Sequence, residues 1–137
     1  FFNNPTQFDV IVTLGTVGDT IADPLATLLY GTRAITPSAN ISPDGFATFQ
    51  TVHGTAHAIA GQNKVNPIGM IRSAALMLNL FFKMKKEAEI IEQAVRKTLA
   101  QGYRTIDLYR PDRPNHKLVG TKELTGLIIE EIRKLAK

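Results

Sequence analysis

Phe8-Asp9-Val10-Ile11-Val12-Thr13-Leu14-Gly15-Thr16-Val17-Gly18-Asp19-Thr20-Ile21-Ala22-Asp23 joins an apolar, β-rich run to two carboxylates four residues apart. Phe8 to Thr13 suits a strand buried on both faces of a parallel sheet, with Gly15 and Gly18 supplying the turn that follows. Ile21 to Tyr30 then reads as a helix stopped by Gly31. Two readings of the carboxylates stand side by side. On one helical face, Asp19 and Asp23 offer the hard oxygen donors that a cation such as magnesium takes, near a strand-to-helix junction where open α/β sheets bind ligands. Alternatively, Asp23-Pro24 is an N-cap followed by an N1 proline, and the helix starts there.

The chain has 137 residues, enough for one modest domain, and an apolar fraction of 44% argues for a packed core. There is no cysteine, which excludes disulfides, thiolate catalysis and sulfur-ligated metals. The net charge of +4 is scattered, with Lys83, Lys85 and Lys86 the one tight basic cluster. That pattern is a solvated face, so neither nucleic acid nor membrane is an expected partner. Phe1-Phe2-Asn3-Asn4-Pro5 has neither the basic start nor the apolar core of a signal peptide, and Pro67 to Phe82 is too short for a span of about 20 residues. A cytoplasmic location is the expectation. The chain starts without methionine a few residues before its first expected strand, as a segment of a longer protein would.

Further along, Pro43-Asp44-Gly45 predicts a turn between short strands at Ala39 to Ile41 and Ala47 to Val52. His53 to Pro67 is a long connection rich in Gly, Asn and His, the kind of ordered loop that carries function. Pro67 opens a helix apolar nearly all round, with Ile71, Ala74, Ala75, Leu78 and Phe82 on one side. Glu87 to Ala100 is a cleaner amphipathic helix ended by Gly102, and Tyr103 to Tyr109 reads as a strand. The last helix, N-capped by Thr121, buries Leu124, Leu127, Ile128, Ile132 and Leu135. The strands are few for so many apolar helices.

The ordered set Phe8–Thr13, Gly18-Asp19, Asp23, Pro37-Ser38-Ala39, Val52-His53-Gly54-Thr55-Ala56, Ile59-Ala60-Gly61, Val65-Asn66-Pro67 and Ser73–Leu78 closely resembles the C-terminal part of the β-decarboxylating dehydrogenases. These include 3-isopropylmalate, isocitrate, homoisocitrate and tartrate dehydrogenases. The resemblance spans nearly the whole chain. It implies an α/β architecture: the C-terminal portion of that fold, with a parallel-sheet segment, short strands and three C-terminal helices, incomplete without an upstream half. Residues 1–137 would be a single fragment, about 1–31 holding the metal-site strand and an interface helix and about 32–137 part of the nucleotide-binding domain.

The implied activity is a Mg2+- or Mn2+-dependent oxidation of a 2-hydroxy acid by NAD or NADP with loss of carbon dioxide. Asp19 and Asp23 match the family's metal-binding aspartates of this segment. His53, Gly54, Thr55 and Ala56 match its adenosine loop, and Asn66 its adenine-binding asparagine. Ala58 and Ile59 stand where members distinguish the two dinucleotides: Ala58 replaces the aspartate of NAD users, and Ala58-Ile59 the Lys-Tyr of NADP users. Arg110 lies near the position of a phosphate-binding arginine in some NADP enzymes, so both cofactors remain open. His57 replaces a usual proline, Gly15 a usual asparagine, and Pro24 enters the metal-site helix. A homodimer is implied. The family's catalytic tyrosine, lysine and substrate-binding arginines lie upstream in its order, so no catalytic residue is assigned here and the fragment alone is expected to be inactive. Ile59 leans toward 3-isopropylmalate as substrate, His53-Gly54-Thr55 and Gln62 to Pro67 toward isocitrate, with homoisocitrate a further member. A truncated, non-catalytic subunit or interaction module is the alternative from another class.

Overall fold

The computed structural model describes residues 3–137; Phe1 and Phe2, the start of the stretch examined for a signal peptide, lie outside the described residues. Four helices and two small sheets follow in the order α1 (Gly15–Tyr30), β1 (Pro37–Ile41), β2 (Ala47–Thr51), α2 (Ile68–Leu80), α3 (Lys85–Ala100), β3 (Tyr103–Arg104), β4 (Lys117–Leu118) and α4 (Thr121–Leu135), with 3-10 turns at Pro5–Gln7 and His57–Ile59. The α/β class and the three C-terminal helices are as expected.

Phe8 to Thr13 is not a strand. It is irregular, and Val10, Val12 and Leu14 stand 80, 93 and 81% exposed. Strand preference works through packing on a neighbouring strand, and among the described residues none lies beside this run. The helix begins at Gly15 rather than at Ile21 or Asp23, so Asp23 is no N-cap and Pro24 lies inside α1. Gly31 ends α1 as expected, in the left-handed conformation at φ 78°, its N–H bonded to the Thr27 carbonyl.

The antiparallel hairpin pairs Pro37 with Thr51 and Ile41 with Ala47, close to the expected bounds. It lies on α2, where the Ser73 hydroxyl donates to the Gln50 carbonyl at 2.6 Å. Arg72 braces the same layer, with Nε donating to both Glu92 carboxylate oxygens at 3.0 and 3.1 Å and a second nitrogen to the Ile35 carbonyl. The core gathers Ile35 from the segment before β1 with Ile68, Ala94, Val95, Val119, Leu124 and Ile128 from α2, α3, α4 and the segment leading into α4. Each fully buried Ile or Leu contributes about 1.5–3 kcal/mol. Ala74 and Phe82, expected on the inner side of α2, are exposed, whereas the small residues Gly69, Ser73 and Ala75 form the contact face. Close approach explains this: a Cβ on Gly69 would sit 2.5 Å from the Ala34 carbonyl oxygen.

Tyr103 to Tyr109 is a strand only over Tyr103–Arg104, which pairs in parallel with Lys117–Leu118. The chain turns directly afterwards, with the Leu108 and Tyr109 amides bonded to the Thr105 carbonyl. Thr121 is not the cap of α4. Gly120 occupies that position, and Asn63 caps the first turn from afar: its carbonyl accepts from the Thr121 amide at 3.0 Å and its Oδ1 from the Lys122 amide at 2.9 Å. The Thr121 hydroxyl donates to the Val65 carbonyl. The second half of the His53–Pro67 loop is thereby fastened to α4 at Asn63 and Val65.

Candidate functional site

That fastened loop forms one wall of a cleft of about 340 Å³, a size suited to part of a nucleotide. His53, Gly54, Ala56, Ile59 and Asn66 all line it, although they were expected from separate motifs. Thr55 and Ala58 are exposed and do not line it. Ala56 adopts the left-handed region at φ 50°, a strained state for a residue with a Cβ, and this turns the chain into the 3-10 turn that brings Ile59 to the cleft.

The opposite wall comes from segments that sequence reasoning did not single out: Thr32, Arg33 and Ala34 after α1, and Ile106 and Asp107 after β3. Asp107 organises the floor. Its carboxylate accepts from Asn66 Nδ2 at 3.0 Å and from the Thr105 hydroxyl at 2.6 Å, while Asn66 Oδ1 accepts from the Ile68 amide at 3.0 Å. Asn66 is thus buried with its amide orientation set at both ends. The Thr105-Ile106-Asp107 spacing holds the signal that could have pointed here, a hydroxyl two residues before a carboxylate in a turn.

His53 lines the same cleft. Its Nδ1 lies 2.9 Å from the Gly54 carbonyl, which only accepts, so Nδ1 donates there. Nε2 is buried without a hydrogen-bond partner among the described residues. A buried polar atom left unpaired costs stability. Asn66 and the apolar Ile59, lining one cleft, suit the adenosine end of a dinucleotide.

Asp19 and Asp23 lie one turn apart on α1. Asp23 forms an ion pair with Arg33, and Asp19 is exposed. Among the described residues no three His, Asp or Glu side chains gather as a metal site. The two carboxylates fit a hard divalent cation in chemistry and supply two of the roughly six oxygens it takes. The wider groove of about 530 Å³ between α2 and α3 contains none of the expected site residues, and its Arg72 and Glu92 neutralise each other.

Histidine and arginines also meet beyond β3. His116 Nδ1 accepts from the Arg110 amide at 3.2 Å. Desolvation, then the nearby Arg104 and Arg113 charges, hold its pKa below the usual histidine value. Arg104 itself donates to the Leu99 carbonyl in the last turn of α3 and to the Tyr103 carbonyl, and burial lowers its pKa.

A hairpin and four helices around a loop-built cleft define an α/β chain whose candidate site is assembled from connecting segments. The sequence profile of the isocitrate/isopropylmalate dehydrogenases matches residues 1–128, and the chain belongs to that family. It is 46% identical over 133 residues to a 3-isopropylmalate dehydrogenase of Heyndrickxia coagulans, covering 97% of this chain and 35% of that one. For the 3-isopropylmalate dehydrogenase of Moorella thermoacetica the identity is 47% over 130 residues, covering 95% and 35%. Among solved structures, isocitrate dehydrogenase from Methylococcus capsulatus superposes with a TM-score of 0.82 at 36% identity, covering 94% of this chain and 36% of that one. A β-decarboxylating dehydrogenase from Thermococcus kodakarensis gives 0.81 at 35% identity, covering 98% and 37%. The chain therefore spans about a third of the length of the relatives it matches.

Proposed function

We propose that this chain is the C-terminal part of an NAD(P)-dependent, divalent-metal-dependent dehydrogenase that oxidises and decarboxylates a 2-hydroxy acid of the 3-isopropylmalate type. The observation that carries this reading is the convergence of His53, Gly54, Ala56, Ile59 and Asn66 on one cleft. In it, Asn66 and His53 hold the adenosine end of the dinucleotide, and Ile59 supplies an apolar wall. Asp19 and Asp23 hold Mg2+ or Mn2+, which when bound polarises the substrate oxygens and the carbonyl formed by oxidation. Hydride acceptance belongs to the nicotinamide, and the chain's own residues bind and orient.

The groups that move protons and grip the substrate's carboxylates belong, in this reading, to an upstream half of the same protein, and the enzyme is a cytoplasmic homodimer. The exposed Val10, Val12 and Leu14 support it, because an apolar run of this kind is stabilised when further structure covers it. Among the described residues no helix is long and apolar enough to cross a membrane.

The test is a turnover assay on the full-length gene product with Mg2+, comparing 3-isopropylmalate, homoisocitrate and isocitrate with NAD and with NADP. Greatest kcat/KM on 3-isopropylmalate is the expected result. A preference for isocitrate would transfer the assignment to the type named for the Methylococcus structure. No turnover and no dinucleotide binding would make the chain a non-catalytic module.

A further inference from the structure

Arg33 belongs to both candidate sites. It lines the cleft of His53 and Asn66, and its guanidinium pairs with Asp23 on α1, ten positions earlier. The Gly31 turn brings it there: the chain leaves α1 in the left-handed conformation, and the Ala34 amide bonds to the Thr32 hydroxyl at 3.1 Å, setting Arg33 at the lip between helix and cleft.

We infer that Arg33 is a positioning residue that couples the two sites: it holds Asp23 while no cation is bound, and a cation that takes this carboxylate frees the guanidinium for the anionic part of a nucleotide in the cleft. The inference rests on the function proposed above. Three observations carry it. Asp23 cannot serve Arg33 and a divalent cation fully at once, because a cation beside Asp19 and Asp23 repels the guanidinium. The pair is solvent-exposed, at 52 and 32% for the two side chains, and ion pairs of this exposure are weak enough to exchange. Finally, a planar guanidinium at the edge of a nucleotide-sized cleft matches the oxygens of a pyrophosphate, which it grips in bidentate fashion.

The consequence is reciprocal coupling, since whatever factor the cation adds to nucleotide affinity, the nucleotide must add to cation affinity. The test titrates Mn2+ by electron paramagnetic resonance, and NADH or NADPH by fluorescence, on the full-length gene product, each with and without the other ligand. In the unmodified protein each ligand should tighten the other by about 5-fold or more. Arg33→Ala and Arg33→Gln should bind Mn2+ alone more tightly and lose the coupling, whereas Arg33→Lys, charged but without the fork, should retain part of it. Undiminished coupling in Arg33→Ala and Arg33→Gln, or Mn2+ affinity unchanged in both, would overturn the inference. A different result marks failure of the underlying reading: Asp23→Asn binding Mn2+ as the unmodified protein does, or no dinucleotide binding at all.

Discussion

Asn66 and Asp107, 41 positions apart, share a hydrogen bond of 3.0 Å across the floor of the cleft. Because Asn66 Oδ1 is taken by the Ile68 amide at the start of α2, the bond to Asp107 fixes which edge of the amide faces a ligand. One Nδ2 hydrogen is left to donate.

Replacing Asp107 by Ala should therefore act twice. The Thr105 hydroxyl, fully buried, loses its acceptor, which costs about 1–3 kcal/mol in a urea denaturation experiment. Asn66 also loses its orientation, and dinucleotide affinity in the full-length protein should fall about tenfold, the equivalent of one hydrogen bond of about 1.4 kcal/mol. Asp107→Asn, which keeps the shape and one acceptor oxygen, should lie between. An unchanged urea midpoint together with unchanged affinity in Asp107→Ala would remove Asp107 from the site.

Two glycines should respond in opposite directions. Gly102 has φ 94°, and a Cβ there would lie 2.0 Å from the Asn115 carbonyl oxygen, so Gly102→Ala should destabilise the chain by about 2 kcal/mol or more through overpacking and a strained φ. Gly126 lies inside α4 with nothing within 4 Å of its would-be Cβ, and Gly126→Ala should stabilise by about 0.5–1 kcal/mol by restricting the unfolded chain. Denaturant midpoints of the two variants decide both.

His116 should make stability pH-dependent. Desolvation and its arginine neighbours depress its pKa in the folded chain, so the unfolded chain binds the proton more readily. The associated stability is fully present above the unfolded value of about 6.5 and is lost as pH falls through the folded one. The stability gap between the unmodified chain and His116→Asn should thus shrink on acidification from pH 7.5 toward 5. An NMR titration of the His116 ring with a midpoint at or above that of an unfolded-chain histidine would contradict the argument.

The structure explains why some elements were legible in the sequence and others were not. The hairpin around Pro43-Asp44-Gly45 and the stop of α1 at Gly31 depend on local backbone chemistry, and both formed close to where the residues predicted them. Leu124 and Ile128 followed helical periodicity into the core. Phe8 to Thr13 had every local mark of a strand, yet a strand requires a neighbour to pair with, and composition carries no information about whether one is present. The cap of α4 was misassigned for a related reason. Thr121 has the chemistry of a cap, but Asn63 reached those amides first from a distant loop.

The candidate site divides in the same way. Motifs in the order of residues pointed to His53, Gly54, Ala56, Ile59 and Asn66 one by one, and by themselves determined the family and the chemistry expected of it. Only the tertiary structure decided that these five share a cleft that Thr55 and Ala58 do not line, that Asp107 sets the orientation of Asn66, and that Arg33 rather than a cap interaction engages Asp23. The physical reason is range. Caps, turns and periodicity act over a few residues and can be read from the string, whereas a cleft floor depends on which distant segments the packing of α2, α3 and α4 brings within about 3 Å of each other, and the Arg33–Asp23 pair on how the chain turns back at Gly31.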